Sequence, residues 1–570
     1  MKVVIIGGVA AGASAAARLR RLDEAAEIIL LEKGSHVSYA NCGLPYHLGG
    51  VIPQRKSLLV VTPERFKRQF NVQVRIESEV VSIDRTAKNV TVRMRGGETY
   101  IESYDKLVLA TGSSPVPLQI PGIESPRVTH LWTLADMDQA LFHITAGAKR
   151  VALVGAGFVG LETAENLREK GLEVTVVQRS NHVLSTVDRE MAVPLAKELE
   201  SSGIRFEFER VVKKFITNES HLGVVLDNGK QIKCDFAILC AGVKPNSDLA
   251  RSAGLELGTH GHIVTDEYLR TSDPDIFAAG DAVEVRNPIL GGRIAIPLAG
   301  PANKQGRLVA DNIMGAQTKY WGSIGASILK AGKLTVGMVG LTEARLKQRS
   351  VAYEKIYLCP NSNASYYPGG TLLNFKLIFA PDGKILGAQI VGVKGVDKRI
   401  DVIATAMRNG MTASELGYLE LSYAPPYNSA KDPVNMAGMI AENVLNGTSK
   451  IVHADSIPEG SFLLDVREGA EFNLGTIPGS VNISLGTLRE RLTELPKERE
   501  IVVFCQAGTR GYVAERILRQ HGFNVKNLSG GYLIWKLFNP ASLSTPVSSC
   551  CTPVLSCCAP AGWMETTTGS

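Results

Sequence analysis

Residues 2–32 and 151–178 follow the same plan: a short apolar strand, a glycine turn, a helix of small residues, and a second strand. The first copy reads KVVII, then Gly7-Gly8-Val9-Ala10-Ala11-Gly12, a helix through Arg21, and a strand Ile28 to Leu31 that ends at Glu32. The second reads VALVG, then Gly155-Ala156-Gly157-Phe158-Val159-Gly160, a helix through Lys170, and VTVV ending at Gln178. In such a turn glycine allows the tight bend, lets backbone approach a pyrophosphate, and brings helix against strand; the helix N-terminus then faces the negative charge. Two copies in one chain require two doubly wound parallel sheets, so the first half is α/β.

The 570 residues exceed one hydrophobic core, and three to four domains are expected (roughly 150 residues each). Two strand-like runs, Lys106 to Ala110 and Phe236 to Cys240, each lead into small residues, ATGSSP (110–115) and CAGVKP (240–245). These read as crossings between domains. The expected division is 1–115 with 245–325, 116–244, 326–447, 452–540, and a poorly ordered Pro/Ser/Thr-rich tail 541–570. In the third unit, strands Leu373 to Phe379 and Ile385 to Val391 precede an amphipathic helix near Ile400 to Asn409. Gly447-Thr448-Ser449 reads as a linker, and strands Phe462 to Val466 and Ile501 to Cys505 belong to a compact α/β unit beyond it.

The formal charge of +6, from 62 basic and 56 acidic residues, is too mild to suggest a nucleic-acid partner. Nine cysteines, sparse before residue 550, do not form the dense framework of a disulfide-stapled secreted scaffold. The apolar start after Lys2 contains three glycines and leads directly to Arg18, Arg20 and Arg21, a strand–turn–helix pattern rather than a signal peptide. No apolar run reaches the ~18 residues of a membrane span. A soluble cytoplasmic protein is expected.

Two cysteines carry candidate chemistry. Cys42, flanked by Asn41 and Gly43, has no second cysteine in reach, so a redox role requires a mixed disulfide with a substrate thiol or a sulfenic acid. Cys505 opens Cys505-Gln506-Ala507-Gly508-Thr509-Arg510 directly after Ile501-Val502-Val503-Phe504. A tight strand-to-helix loop there converges backbone N–H groups on the sulfur and favours a persulfide. Asp281 ends Thr271-Ser-Asp-Pro-Asp-Ile-Phe-Ala-Ala-Gly280-Asp281 and is placed to accept a ribityl hydroxyl, as Glu32 is for a ribose hydroxyl. With the two turns this points to FAD plus a nicotinamide. Neutral Gln178 beside Arg179 leaves NADH and NADPH both open. Cys234, Cys240 and Cys359 read as structural. The pairs Cys550-Cys551 and Cys557-Cys558 read as an oxidisable tail rather than a soft-metal or sulfur-shuttling site, and no metal is expected.

The set GGVAAGASAAARLRR, SYANCGLPY, YDKLVLATGSSP, GAGFVGLE, FAAGDA and SYAPPY resembles coenzyme A disulfide reductase over about residues 1–445. That branch of the flavin disulfide reductases also includes NADH oxidases and peroxidases. Residues 455–540, with Asp465-Val-Arg467 and the Cys505 loop, are similar to a rhodanese domain. The fusion resembles NAD(P)H-dependent reductases of coenzyme A persulfide and polysulfide.

The resemblance implies two nucleotide-binding domains, an α+β dimerisation domain over 326–447 and an α/β rhodanese domain, assembled as a homodimer. It implies FAD contacts from Gly7, Ala10, Ala11, Gly12, Glu32, Lys33, Ala110, Thr111, Gly112, Gly280 and Asp281. Gly155, Gly157, Phe158, Gly160, Glu162, Gln178 and Arg179 would meet NAD(P)H. Coenzyme A would meet Ser14, Arg18, Arg21, Ser38, Asn41, Asn303 and Lys431. One tyrosine of Tyr366-Tyr367 and one of Tyr423/Tyr427, with Tyr366 and Tyr423 favoured, would approach the redox cysteine of the other subunit. Cys42 would be the redox cysteine and Cys505 the sulfur carrier. Arg510 would bracket its loop through backbone carbonyls, while Asp465 and Arg467 support it. Val9 and Gln178 depart from the usual cofactor fingerprints. Two other readings stand beside this one: an NADH oxidase or peroxidase cycling Cys42 through a sulfenic acid, and a non-catalytic sulfur carrier or redox sensor.

Overall fold

The computed structural model describes residues 1–540; the four tail cysteines lie outside them. The chain divides into two compact units, one of Met1–Leu184 with Leu199–Gly325, the other of Ser185–Glu198 with residues from Ala326 onward.

The first unit contains two parallel five-stranded sheets. One runs Ile276–Ala278, Lys106–Leu109, Lys2–Ile6, Glu27–Leu31, Gln73–Arg75. The other runs Arg205–Phe208, Glu173–Gln178, Arg150–Val154, Phe236–Leu239, Val128–His130. Their central strands are unbroken apolar runs because both faces are covered; Val3, Val4 and Ile5 are wholly buried, as are Ala152 and Leu153. Each such aliphatic side chain contributes about 1.5–3 kcal/mol by leaving water. Each sheet carries a three-stranded antiparallel appendage, Ser78–Ser103 and Val212–Cys234.

The two glycine turns are stereochemical duplicates. Gly7 and Gly155 hold φ of +99° and +110°, where L side chains are strained, and a Cβ on either would lie 2.2 Å from Ala110 O or 2.4 Å from Cys240 O. A Cβ on Gly12 would sit 1.8 Å from Gly7 O, and one on Gly160 2.1 Å from Gly155 O. These contacts press each helix onto its turn. The small-residue segments after Lys106–Leu109 and Phe236–Leu239 meet as an antiparallel pair, Ser113–Pro115 with Val243–Pro245.

In the second unit an antiparallel sheet runs Ser327–Ala331, Leu334–Gly340, Ile385–Gly392, Leu373–Phe379, Glu354–Leu358. The helix expected near Ile400 begins earlier, at Val396, and lies on this sheet with Ile400 and Ile403 buried. A parallel sheet follows, Ile451–Val452, Val525–Leu528, Ile501–Phe504, Phe462–Asp465, Val481–Asn482. Its linker is held rather than loose: Ser449 is buried, and the Thr448 carbonyl accepts from Arg516 and Arg519. One buried cluster has no precedent in the sequence pattern. The Lys376 ammonium is wholly enclosed and reaches Asp188 at 2.7 Å, Glu190 at 2.5 Å and Glu343 at 2.5 Å. Lys355 joins Glu343 to Asp455, 3.0 Å from each.

Candidate functional site

Both nucleotide turns offer an uncapped helix N-terminus. The helices Ala10–Leu22 and Phe158–Glu169 begin at Val9 and Gly157, neither giving a side-chain cap, so their first N–H groups point to an anion. Glu32 braces the first turn, its carboxylate accepting from Gly8 N at 2.8 Å and Gly34 N at 2.7 Å. Gln178 does the same in the second, its Oε1 accepting from Ala156 N at 3.0 Å. A Cβ on Gly157 of the second turn would meet nothing within 4 Å, and neither would one on Gly112, in the segment that follows strand Lys106–Leu109, so backbone at both places has an open side for a dinucleotide. Asp281 accepts from Ser113 Oγ at 2.8 Å, and burial raises its carboxyl above the ordinary value. The adjacent Gly280 N–H donates to Gln305, and Thr111 Oγ1 donates to Asn246 O. Lys33 is exposed beside the Glu32 turn. These donors and open faces fit a flavin dinucleotide and a nicotinamide dinucleotide.

Cys42 lies in the single turn Asn41–Gly43, exposed, with Asn41 Oδ1 accepting its N–H at 3.1 Å. Among the described residues Cys42, Cys234, Cys240, Cys359 and Cys505 are all free. Despite its open surface, partial loss of hydration pushes the Cys42 thiol above its ordinary value. The charges of Glu162 and Asp281 add to the rise, while its backbone N–H opposes it. Glu162, on the helix after the second turn, and Asp281, just beyond strand Ile276–Ala278, thus both act on this sulfur. Glu162 itself is raised by burial and accepts from Tyr46 OH at 3.2 Å; burial and Glu162 push Tyr46 up to about 12.

A pocket of about 410 Å³ opens beside the first turn, lined by Ser14, Arg21, Ser38 and Asn303, with Phe66 and Phe70 on its apolar side. Ser14 Oγ donates to Asn303 Oδ1 at 2.6 Å. Arg18, expected here, pairs with Asp311 at 2.7 Å and does not line the pocket; Asn41 stays with Cys42. Arg307 lines it instead. Sequence reasoning missed Arg307, although it follows Asn303 by one helical turn in Ala299–Ile313 and so shares its face.

In the second unit the Tyr366 and Tyr423 hydroxyls lie 2.6 Å apart, on residues 73% and 47% exposed. Tyr367, Tyr427 and Lys431 are also exposed. The hydrogen bond from its partner raises Tyr366.

Cys505 follows the buried strand Ile501–Phe504 and is only 2% exposed, deeper than a loop mouth suggests. Gly508 N–H donates to its sulfur at 3.2 Å, with Gly508 at φ +99° and the uncapped helix Thr509–Gln520 directly after. Arg467 is clamped by Asp465 at 2.7 Å and donates to Gln506 Oε1 at 3.1 Å, which orients the loop. Arg510 is held by the Glu471 carboxylate at 2.7 and 2.8 Å, a partner not foreseen from sequence. Ala507 sits between these two anchors. Behind the loop, Tyr532 N donates to Cys505 O. Burial, with Cys505 adding, raises Cys359 to about 12.

A profile described as pyridine nucleotide-disulphide oxidoreductase matches residues 1–306, and that family's dimerisation domain matches 328–433. The chain belongs to the pyridine nucleotide-disulphide oxidoreductases. A rhodanese-like domain matches 449–537, so the protein is a flavin-dependent oxidoreductase of this family joined to a sulfurtransferase-type domain. It is 36% identical over 445 residues to the coenzyme A disulfide reductase of Staphylococcus aureus, covering 77% of this chain and 100% of that one. It is 35% identical over 453 residues to a protein named NADH oxidase from Methanocaldococcus jannaschii, covering 79% and 100%. Among solved structures, reduced CoADR-RHD from Bacillus anthracis superposes with a TM-score of 0.93 at 45% identity, covering 95% and 98%. An NAD-dependent persulfide reductase from A. fulgidus gives 0.89 at 38%, covering 94% and 100%. No helix among the described residues is long and apolar enough to cross a membrane.

Proposed function

We propose that this protein is an FAD-dependent NAD(P)H:coenzyme A persulfide and polysulfide reductase, acting also on coenzyme A disulfide, and that its rhodanese-like domain delivers the sulfane sulfur. The observation that carries this reading is Cys42: an exposed, unpaired thiol within electrostatic reach of Glu162 and Asp281, in the unit that holds both nucleotide turns. A lone redox thiol needs a substrate sulfur as its partner. The neighbouring pocket supplies cations and hydroxyls for a phosphorylated thiol, and the chain also carries a second loop built around Cys505.

The Cys42 thiolate attacks coenzyme A persulfide at the coenzyme A sulfur. A Cys42–S–S–CoA bond forms and the S–S bond to the terminal sulfur breaks, releasing HS⁻, a good leaving group. The mixed disulfide returns to the Cys42 thiolate and free coenzyme A on taking up an electron pair, which a flavin held by the Gly7–Gly12 turn, Glu32 and Asp281 would supply from NAD(P)H. Arg21 and Arg307 hold the phosphates, Ser14 and Asn303 orient the pantetheine side, and a hydroxyl of the Tyr366–Tyr423 pair, reaching in from the other subunit of a homodimer, protonates the departing coenzyme A thiolate. At the other loop the Cys505 thiolate attacks the sulfane sulfur of thiosulfate, polysulfide or another persulfide, breaking its bond to the donor and releasing sulfite, a shortened polysulfide or a thiolate. The Cys505 persulfide, its terminal sulfur held by backbone N–H groups, is then attacked by the coenzyme A thiolate, which takes that sulfur and releases the Cys505 thiolate.

Purified, flavin-loaded protein should release sulfide from coenzyme A persulfide with NADH or NADPH, and Cys42→Ser should abolish it. Absence of sulfide release, or turnover that survives the substitution, defeats the proposal. Faster NAD(P)H consumption under air than with the persulfide assigns the protein to the oxidases instead.

A further inference from the structure

Strand Glu173–Gln178 ends where doubly wound nucleotide domains commonly set a carboxylate against the ribose 2′-hydroxyl. Here that residue is neutral, and its amide is committed inward: Oε1 accepts from Ala156 N, and Nε2 donates to Ser180 Oγ at 2.5 Å. The first turn shows the contrasting solution within the same chain, with the Glu32 carboxylate bracing Gly8 and Gly34. The two strand ends match in backbone role and differ by one negative charge.

Two arginines flank the neutral end. Arg179 follows Gln178 and is exposed. Arg210 is brought alongside by the neighbouring strand Arg205–Phe208, its backbone N–H donating to Gln178 O at 3.1 Å. The Arg210 guanidinium donates to the Glu209 carbonyl, so its remaining N–H groups stay available. Of the nearby acids, Glu207 is occupied by Lys230 at 2.5 Å, while Glu209 precedes Arg210 and Asp227 pairs through its backbone with Val211. A 2′-phosphate brings a charge of about −1.5 to −2 and three acceptor oxygens; guanidinium forks match it, while a carboxylate would repel it.

We infer that the second nucleotide turn selects NADPH over NADH, with Arg179 and Arg210 holding the 2′-phosphate and Gln178 permitting it by withholding a carboxylate. The inference rests on the nicotinamide-dependent reading above and is tested without turnover. Calorimetric titration of the full-length flavoprotein with 2′,5′-ADP and with 5′-AMP compares ligands that differ only in the 2′-phosphate. The bisphosphate should bind at least about tenfold more tightly, the worth of one charge-assisted hydrogen bond. Arg179→Ala should remove most of that ratio and Gln178→Asp should invert it; flavin bleaching by NADPH against NADH should follow the same order. Equal or tighter binding of 5′-AMP, or a ratio indifferent to both substitutions, overturns the selection while leaving the oxidoreductase reading intact. Binding of neither nucleotide, with no bleaching by either reductant, overturns both.

Discussion

Lys376→Met keeps the unbranched stem of the side chain, one atom shorter, and deletes one charge from the buried cluster. Asp188, Glu190 and Glu343 would then converge with no ammonium at their centre, their carboxylate oxygens within 4.8 Å of one another. Breaking a buried ion pair from one side costs about 3–5 kcal/mol. That is roughly two to three powers of ten in the equilibrium for opening the strand Leu373–Phe379 (1.4 kcal/mol per tenfold). Burial pulls Lys376 down, but Glu190, Asp188 and Glu343 outweigh it and hold the lysine above its ordinary value. Burial pushes Glu343 up, but the charge and hydrogen bond of Lys376, the Tyr353 hydroxyl and the charge of Lys355 together outweigh it and hold that carboxyl well below the carboxylate range. The depressed acid therefore stabilises the fold above the ordinary carboxylate pKa and is lost only as pH falls through its folded value. The raised lysine stabilises it below its ordinary pKa and is lost only as pH rises through its own folded value. Wild type should be flat between about pH 7 and 9 and lose stability below that, because burial holds the nearby His453 down to about 4 while its unfolded form takes up a proton. Relative to wild type the variant should gain stability on acidification as the unbalanced carboxylates take up protons. Hydrogen exchange of the Leu373–Phe379 amides, read by mass spectrometry, reports this local opening without assuming that the whole chain unfolds in one step. Exchange within about threefold of wild type, or an accelerated exchange insensitive to pH, would show that the cluster does not hold the sheet as argued.

Cys505→Ser should abolish activity with donors that require sulfur handover while sparing reduction of preformed coenzyme A persulfide; equal loss on both contradicts the division between the two cysteines. Tyr366→Phe removes one hydroxyl of the 2.6 Å pair. It should slow turnover by about 10²-fold, the lower range for a positioned proton donor, with the loss falling on the sulfur substrate step rather than on flavin reduction in stopped flow. Unchanged turnover would remove this tyrosine from the chemistry.

The duplicated strand–turn–helix units and the family itself were legible because each is written in contiguous residues. Glycine at a positive φ, apolar runs of fixed length and small residues where backbone meets backbone leave local marks. The lone cysteine at 42 and the loop at 505 were readable for the same reason, as was the neutral Gln178 at its strand end. What the tertiary structure decided are the pairings between distant segments. Arg18 turns to Asp311, 293 residues away, while Arg307 takes a place in the pocket. Arg510 finds Glu471, and Lys376 finds three acids from two separate stretches of chain. A charged side chain reaches any of several partners until packing brings one within hydrogen-bond distance, and no spacing along the chain encodes that choice.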